Sequence, residues 1–375
     1  MSSGLSFVLS NTELNARGFG VRAAYASVHD AAAALRTGRA EFVGGAIGFD
    51  TSGITSLIAP ERVDFAPVDD NVHTEPDPVV ETLSVTPDAV HRARVVAAIE
   101  AIDAGRVQKV VVARSLEAEL SEPVGAEAMV QRFTATAGDS TVFAADLRAA
   151  PGYDGKWLIG ASPELLLRKR GATVHCVPYA GSAPRFDADG RLVPDASEQL
   201  QRSDKDLREH AYVVDYLREL LAPLCTEIDV PDRPTTISTR HVWHLATPIT
   251  GRLADPSMTS LDLAALLSPT PAVCGTPTRA AAELIGEIEG DRDFYAGAVG
   301  WCDAAGDGEW VVSIRCLELD PRASDTDRAR IRAWAGGGIV AGSDPDAEVA
   351  ETTAKFQTVL TALGAAKPTA RPTPR

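Results

Sequence analysis

Lys109-Val-Val-Val-Ala-Arg-Ser115 contains three consecutive β-branched valines and predicts a buried strand. Upstream of it, a helical pattern opens at Pro87 and stops at Gly105. Downstream, the pattern predicts a helix over residues 124–136, and further strands and helices follow. Because helices and strands are interspersed without strict alternation, the sequence indicates an α+β fold.

The same patterns organise the rest of the chain. The first 85 residues predict short strands and turns, and the Pro- and Thr-rich tail over 365–375 predicts disorder. Length alone would allow about two or three domains. The other predicted elements are strands at 141–147 and 157–179, a polar loop at 180–195, a helix at 199–222, extended structure at 234–253, helices at 260–267 and 277–289, a hairpin of 296–303 with 309–319, a mobile polar insertion at 321–329, a strand at 330–335 running into Gly336–Gly338, and a helix at 345–364.

Charge and composition exclude several classes of protein. The net charge of −16 would repel nucleic acid and anionic membrane surfaces. No apolar run reaches the roughly 20 residues of a membrane span, and the N-terminus lacks the features of a secretory signal. The five cysteines are odd in number and widely spaced, which argues against disulfides and zinc. We therefore expect a cytoplasmic protein that binds neither nucleic acid nor membrane.

Two helices carry carboxylates beside their apolar stripes. In the helix at 199–222, Glu209 lies at the edge of a stripe of valines and leucines. In the last helix, Glu348, Glu351 and Lys355 share one face because they are three and four residues apart. A boundary glutamate and an exposed Glu351–Lys355 ion pair are the plainer interpretations. The alternative is a magnesium site, since Mg²⁺ takes one or two carboxylates together with water and substrate oxygens.

Lys109 and Glu164 are candidates for proton transfer. Lys109 heads the valine-rich strand, where it could mark a solvated strand end or face a cleft as a general base. Glu164, in Ser162-Pro-Glu164, could be a turn residue or a general acid whose pKa is raised by apolar neighbours.

Several small residues and one arginine are candidates for binding a ligand. Ala180-Gly-Ser182, Ala272 and Gly336-Gly-Gly338 place backbone where a ligand could approach, although turns use the same residues. Arg315 could clamp a carboxylate through two hydrogen bonds or be an exposed strand residue. Since the glycine run does not match G-x-G-x-x-G, no dinucleotide site is indicated.

Ten segments occur in a highly specific order over residues 90–364. They are Lys109-Val-Val-Val-Ala-Arg-Ser115, Ser162-Pro-Glu164, Pro178-Tyr-Ala-Gly-Ser182, Lys205-Asp-Leu-Arg-Glu-His210, His244-Leu-Ala-Thr247, Pro269-Thr-Pro-Ala-Val-Cys-Gly275, Tyr295-Ala-Gly-Ala-Val-Gly-Trp301, Ser313-Ile-Arg315, Ala335-Gly-Gly-Gly-Ile-Val340 and Glu348-x-x-Glu351-Thr-x-x-x-Lys355. Together they resemble the chorismate-utilising enzymes, which are the isochorismate, salicylate, anthranilate and aminodeoxychorismate synthases. The resemblance implies one domain over 1–364, with two large stacked antiparallel sheets flanked by helices and an active site in the cleft.

The resemblance also implies a reaction. Members that add water to chorismate carry lysine at the position of Lys109, whereas members that use ammonia usually carry glutamine there. Aminodeoxychorismate synthases commonly have a nucleophilic lysine where this chain has Ala180. The implied activity is conversion of chorismate to isochorismate, which feeds menaquinone or siderophore biosynthesis. The alternative is a salicylate synthase, which goes on to eliminate pyruvate.

Each matching residue then has an implied role. Neutral Lys109 takes a proton from the water that attacks C2, and Glu164 protonates the C4 hydroxyl as it leaves. Mg²⁺ is held by Glu209 and Glu351, with Glu348 supporting it through water. The residues implied to bind substrate are Gly181, Ser182, His244, Ala272, Arg315, Gly336 and Lys355. A monomer is implied, and a non-catalytic binder of a small carboxylate and a divalent ion is the alternative from another class.

Overall fold

Lys109 begins a strand that continues to Leu120, longer than the seven residues that predict it. The computed structural model describes residues 4–50, 53–65, 78–185, 191–238, 242–321, 323 and 328–365. In chain order, its strands are β1 (Leu5–Ser10), β2 (Asn15–Phe19), β3 (Ala23–Tyr25), β4 (Phe42–Ile47), β5 (Thr55–Ala59), β6 (Arg62–Asp64), β7 (Val80–Val85), β8 (Lys109–Leu120), β9 (Thr141–Asp146), β10 (Trp157–Ser162), β11 (Leu165–Arg170), β12 (Thr173–Cys176), β13 (Tyr179–Pro184), β14 (Cys225–Asp229), β15 (Thr235–Ser238), β16 (Val242–Ala246), β17 (Ile249–Leu253), β18 (Gly275–Thr276), β19 (Ala298–Asp303), β20 (Gly308–Val312), β21 (Cys316–Asp320) and β22 (Arg330–Val340). The helices are α1 (Val28–Arg36), α2 (Asp88–Asp103), α3 (Ala126–Thr136), α4 (Ala196–Arg202), α5 (Asp204–Leu221), α6 (Ser260–Leu267), α7 (Thr278–Ile288) and α8 (Pro345–Ala362), with a 3₁₀ turn at Ala222–Leu224.

The strands form two large antiparallel sheets and one small one. The first has ten strands in the order β18-β8-β22-β21-β10-β9-β1-β2-β6, with β7 also paired to β8. The second has nine strands in the order β14-β17-β12-β11-β20-β19-β4-β5-β3, and the third is β13-β16-β15. This mixture of helices and antiparallel sheets confirms the α+β architecture. Because the N-terminal strands extend both large sheets, the structure favours the single domain over 1–364, which stays a prediction.

The two large sheets pack against each other through one extended core. On the ten-stranded sheet this core includes Phe7 and Val110, and on the nine-stranded sheet it includes Phe42, whose ring centroid lies 6.1 Å from that of Phe7. The outer face of the ten-stranded sheet packs against α3 and α8 through a second cluster that contains Phe133 and Phe356. Helix α6 packs against β11, β19 and β20 of the nine-stranded sheet, so helices flank both large sheets, as expected, while α5 packs against the small sheet.

Two of the places where the chain crosses between the two large sheets are adjacent to each other. One crossing joins β10 to β11 through Ser162–Glu164, and the other joins β20 to β21 through Ser313–Arg315. The two crossings are hydrogen-bonded to each other, since the backbone N–H of Ala161 donates to Arg315 O at 3.2 Å and that of Val312 donates to Glu164 O at 3.1 Å. The predicted strand over 309–319 is thus wrong in one respect, because its residues belong to two different sheets.

Other sequence-based expectations also need correction. The predicted helix over 199–222 is two helices, because extended backbone at Ser203 ends α4 and its Oγ accepts the Asp206 N–H to cap α5. The first 85 residues contain a helix, α1, whose run of alanines the strand-and-turn prediction overlooked. The start of the predicted loop at 180–195 lies in β13, and the glycine run 336–338 lies within β22 instead of a turn.

Some expectations fall on residues that are only partly described. Most of the insertion at 321–329 and nearly all of the tail over 365–375 lie outside the described residues. All five cysteines are free thiols. Among the described helices, none combines the length and the apolar character that crossing a membrane requires.

Candidate active site

Glu164 and Arg315 occupy the two sheet crossings. Glu164 is 4% exposed and its backbone N–H donates to Ser162 Oγ at 3.2 Å, which fixes the turn after β10. Burial raises the pKa of the Glu164 carboxyl to about 7, although the Tyr179 backbone and the nearby charges of Lys109 and Lys355 oppose the shift. A carboxylic acid in this state can hold or release a proton near neutral pH.

Arg315 is placed by an unusual backbone conformation. Its φ of 54° lies in the left-handed region, which is rare for a residue with a side chain. Burial lowers the pKa of its guanidinium, while Tyr295 and Glu351 act in the opposite direction. Because Arg315 makes no ion pair with any described residue, its charge is available to an anionic ligand. Arg315 is half-buried in the cleft wall and lies between β20 and β21, so the interpretation as an exposed strand arginine is wrong.

Three carboxylates converge on the glycine run of β22. A Cβ atom on Gly338 would come within 2.4 Å of Glu209 Oε1. A Cβ on Gly337 would come within 2.5 Å of Glu348 Oε2 and 3.8 Å of Glu351 Oε1. These glycines thus make room for carboxylates of α5 and α8, which explains why the strand lacks side chains at this point.

Each of these carboxylates faces a lysine. Lys109 Nζ lies 3.0 Å from Glu209 Oε1, and Lys355 Nζ lies 2.5 Å from Glu351 Oε1 while also donating to Gly336 O at 2.8 Å. Lys205 Nζ lies 4.0 Å from the carboxylate of Glu348. Lys109 is completely buried, and its contact with Glu209 is an ion pair without hydrogen-bond alignment. Lys109 is therefore not a solvated strand end.

The electrostatics of the glutamates reflect their crowding. Burial, followed by repulsion from Glu351, raises the pKa of Glu348 to about 8, although Lys205 and Lys355 oppose this. Glu351 behaves differently, since burial alone would raise its pKa but the Lys355 ammonium outweighs burial and lowers it. Two neighbouring carboxyls pushed in opposite directions form a site where an added cation would relieve repulsion.

The donor set fits a magnesium ion in its chemistry. Carboxylate oxygens are the ligands that Mg²⁺ prefers, and it needs only one or two of them beside water and substrate. Glu348 Oε2 is buried without a hydrogen-bond partner, so it is free to accept an ion or a water. In the part of the chain that the structure describes, no three acidic, histidine or cysteine side chains are yet arranged to hold a metal. Glu209 and Glu351 would have to leave their lysines to do so.

An open cleft of about 880 Å³ joins these groups. Ten of the twelve predicted site residues line it, namely Glu164, Gly181, Ser182, Glu209, His244, Ala272, Arg315, Gly336, Glu351 and Lys355. The other two, Lys109 and Glu348, lie just behind the wall, where Lys109 contacts Glu209 and Glu348 approaches Gly337. The structure thus brings the predicted set together.

The small sheet supplies the wall opposite the crossings. Gly181 has φ +74° and packs against Asp206, where a Cβ would lie 3.0 Å from that side chain. His244 pairs with Ser182 across the sheet and stacks on Tyr179 with ring centroids 6.0 Å apart. Burial, with Arg315 and Lys355 nearby, lowers the pKa of His244 to about 3, so its ring is neutral. A neutral ring beside two cations can accept a hydrogen bond as well as donate one.

Among the lining residues that sequence reasoning missed, five have polar or aromatic side chains. They are Tyr179, Lys205, Asp206, Tyr295 and Trp334. Asp206 lies one helical turn before Glu209, and this i, i+3 spacing was a signal that it shares the same face. The stacked pair of Tyr295 and Trp334, with centroids 5.5 Å apart, joins two distant segments, and no local pattern predicts it.

A family profile described as chorismate binding enzyme matches residues 57–364. The chain belongs to the chorismate-binding enzyme family. The match spans every residue that lines the cleft.

Members of the family with similar sequences carry isochorismate synthase names. A Mycobacterium tuberculosis protein, provisionally named isochorismate synthase MenF, is 46% identical over 349 residues, which are 92% of this chain and 92% of that protein. Isochorismate synthase DhbC of Bacillus subtilis is 40% identical over 326 residues, 85% of this chain and 80% of that protein. A crystal structure from Bacillus anthracis, provisionally assigned as the 2,3-dihydroxybenzoate-specific isochorismate synthase DhbC, superposes with a TM-score of 0.85 at 35% identity and covers 98% of both chains.

Proposed function

We propose that this chorismate-binding enzyme is an isochorismate synthase, an isomerase that converts chorismate to isochorismate for menaquinone or siderophore biosynthesis. The observation that carries the proposal is a protonatable buried acid, Glu164, in the wall of a cleft that has the amine of Lys109 directly behind another wall residue, Glu209. The names of relatives 40–46% identical to the chain support the same reaction.

The reaction needs one base and one acid. Lys109, as the free amine, takes a proton from water while the water oxygen forms a bond to C2 of the ring. The ring double bonds shift, the C4–O bond breaks, and Glu164 delivers its proton so that the C4 hydroxyl leaves as water. One water enters and one leaves, so the net change is an isomerisation. The pKa of Glu164 near 7 suits this donation.

Substrate charge is met by local cations inside an acidic protein. Arg315, without an ion-pair partner among the described residues, and Lys355 are placed to bind the two carboxylates of chorismate. Gly181, Ser182, Gly336 and the neutral His244 offer hydrogen bonds to oxygens, and Ala272 contributes apolar surface. These contacts would orient the chorismate ring between Glu164 and Glu209, because both glutamates line the same cleft as the substrate-binding residues.

Mg²⁺ is part of the proposal. Glu209 and Glu351 would hold the ion and Glu348 would support it through water, and the bound ion would neutralise a substrate carboxylate and polarise the ring. Glu209 also separates Lys109 from the cleft. Because the Glu209 carboxylate would bind the ion and also contacts Lys109, the position of this carboxylate decides whether the Lys109 amine can reach water.

The test is product analysis. Purified protein is incubated with chorismate and Mg²⁺, with and without EDTA, and the products are separated by chromatography. We expect isochorismate that depends on the metal. Salicylate with pyruvate would reassign the chain to the salicylate synthases, and anthranilate formed with ammonia would refute water as the nucleophile. Ligand-dependent stabilisation without any product would favour the non-catalytic binder. We further propose a monomer in the cytoplasm, which gel filtration and cell fractionation test.

A further inference from the structure

Lys205 has no part in the reaction proposed above, yet it lies at the acidic cluster. It sits in the first turn of α5 and lines the cleft. Its Nζ is the one described cation within 4.0 Å of Glu348. The side chain of Glu348 is 4% exposed, whereas that of Lys205 is 41% exposed. One partner is therefore fixed and buried, and the other is free to swing into solvent.

The three lysines around the carboxylates differ in how firmly they are held. Lys109 is enclosed, and Lys355 is tied to both Glu351 and Gly336 O. Among the described residues, Lys205 makes only the long contact to Glu348. Of the three ammonium groups, that of Lys205 is therefore the most easily displaced.

Glu348 itself is poised for another partner. Its Oε1 faces Lys205 while its buried Oε2 makes no hydrogen bond in the structure. When Glu348 is ionised, repulsion from Glu351 and Glu209 makes a nearby cation favourable, since crowded buried carboxylates are costly when uncompensated. Lys205 supplies part of that charge from the open side of the cluster.

We propose that Lys205 is a placeholder cation, which holds Glu348 while the divalent ion is absent and gives way when the ion binds. It acts through Glu348 and is a positioning residue. The inference rests on the magnesium site of the proposed function. Its consequence is that Lys205 stabilises the metal-free enzyme and weakens divalent binding, and so sets the ion concentration at which the enzyme becomes loaded.

The experiment compares four full-length proteins: wild type, Lys205→Met, Lys205→Arg and Arg218→Met. The last is a control that removes one positive charge from the same helix, where Arg218 pairs only with Asp215 at 3.3 Å. Titration calorimetry with Mg²⁺ alone, and with Mn²⁺ alone, gives the dissociation constants. Thermal melts in EDTA and in rising Mg²⁺ give the stability of each state.

We expect Lys205→Met to bind the ions about five- to tenfold more tightly than wild type, because a half-exposed charge at 4 Å has a modest effect. It should also melt lower in EDTA and gain more from Mg²⁺, while Lys205→Arg and Arg218→Met stay near wild type. If the wild type binds the ions and Lys205→Met binds them with the same affinity, the placeholder role is refuted while the metal site still stands. A higher KM for chorismate at unchanged ion affinity would overturn it in favour of substrate binding. Absence of ion binding in all four proteins would refute the metal site itself, while isochorismate formation by wild type tests the reaction separately.

Discussion

Replacing Lys109 with methionine removes one charge from a buried ion pair and keeps most of the side-chain volume. Lys109 is fully buried and the Glu209 side chain is only 12% exposed, so the carboxylate left behind cannot be solvated freely. Breaking a buried pair in this way costs about 3–5 kcal/mol. Since the contact of 3.0 Å lacks hydrogen-bond alignment and Glu209 borders the cleft, we expect the lower end, about 3 kcal/mol.

The assay is a double-mutant cycle on thermal melts in EDTA. With about 2.1 cal/mol/K of unfolding entropy per residue, a loss of about 3 kcal/mol lowers the Tm of a chain of this length by roughly 4 °C. The proteins are wild type, Lys109→Met, Glu209→Gln and the double variant. We expect the double variant to recover most of the stability that Lys109→Met loses, because it leaves no uncompensated charge.

Both variants that lack Lys109 should have no turnover, since neither keeps the base. The recovery of stability without recovery of activity separates the two roles of the residue. If Lys109→Met melts within about 1 °C of wild type, or if the losses of the two single variants simply add, the pair does not couple as its burial requires and the reasoning is refuted.

Three further results are expected. Glu164→Gln should lower kcat by about 10²–10⁴-fold with a small change in KM. The kcat of the wild type should fall as the pH rises through about 7, because Glu164 then loses the proton that it must donate. A rate that does not change between about pH 6 and 9 would contradict this role. Gly338→Ala should lower kcat/KM by at least about tenfold, since the new Cβ displaces Glu209, whereas Gly286→Ala, which adds a methyl where nothing lies within 4 Å, should leave the rate unchanged. Arg315→Lys should raise KM by about tenfold or more through loss of two-point binding, and an unaltered KM would remove Arg315 from the substrate site.

Local patterns predicted the elements that carry the site. The valine run of β8 and the apolar stripe of α8 identify their own secondary structure, and the i, i+4 spacing of Glu351 and Lys355 predicts the ion pair that forms. The catalytic and binding roles of these residues were predicted from the order of the ten motifs along the chain. The spacing within a single motif does not predict them.

Local sequence patterns could not predict which residues from distant parts of the chain come together. The pair of Lys109 and Glu209 joins residues one hundred positions apart, so the strand-end interpretation of Lys109 could not be excluded from spacing. The break at Ser203 was hidden because the apolar period continues across it into α5. Arg315 looked like a strand residue because a change of sheet depends on which strands pair, and the local sequence does not specify this.

The two adjacent crossings of the chain form a hydrogen-bonded part of the cleft wall. The hydrogen bonds of Ala161 to Arg315 and of Val312 to Glu164 join the crossings to each other, and the chain itself ties the two large sheets together at both. The wall formed by α5 and the small sheet joins this frame through the Tyr179 backbone, which bonds to Glu164, and through the Glu209–Lys109 ion pair. Glu164 and Arg315 therefore sit on one hydrogen-bonded frame, and we expect the distance between the proton donor and the anion-binding group to stay the same when a substrate binds.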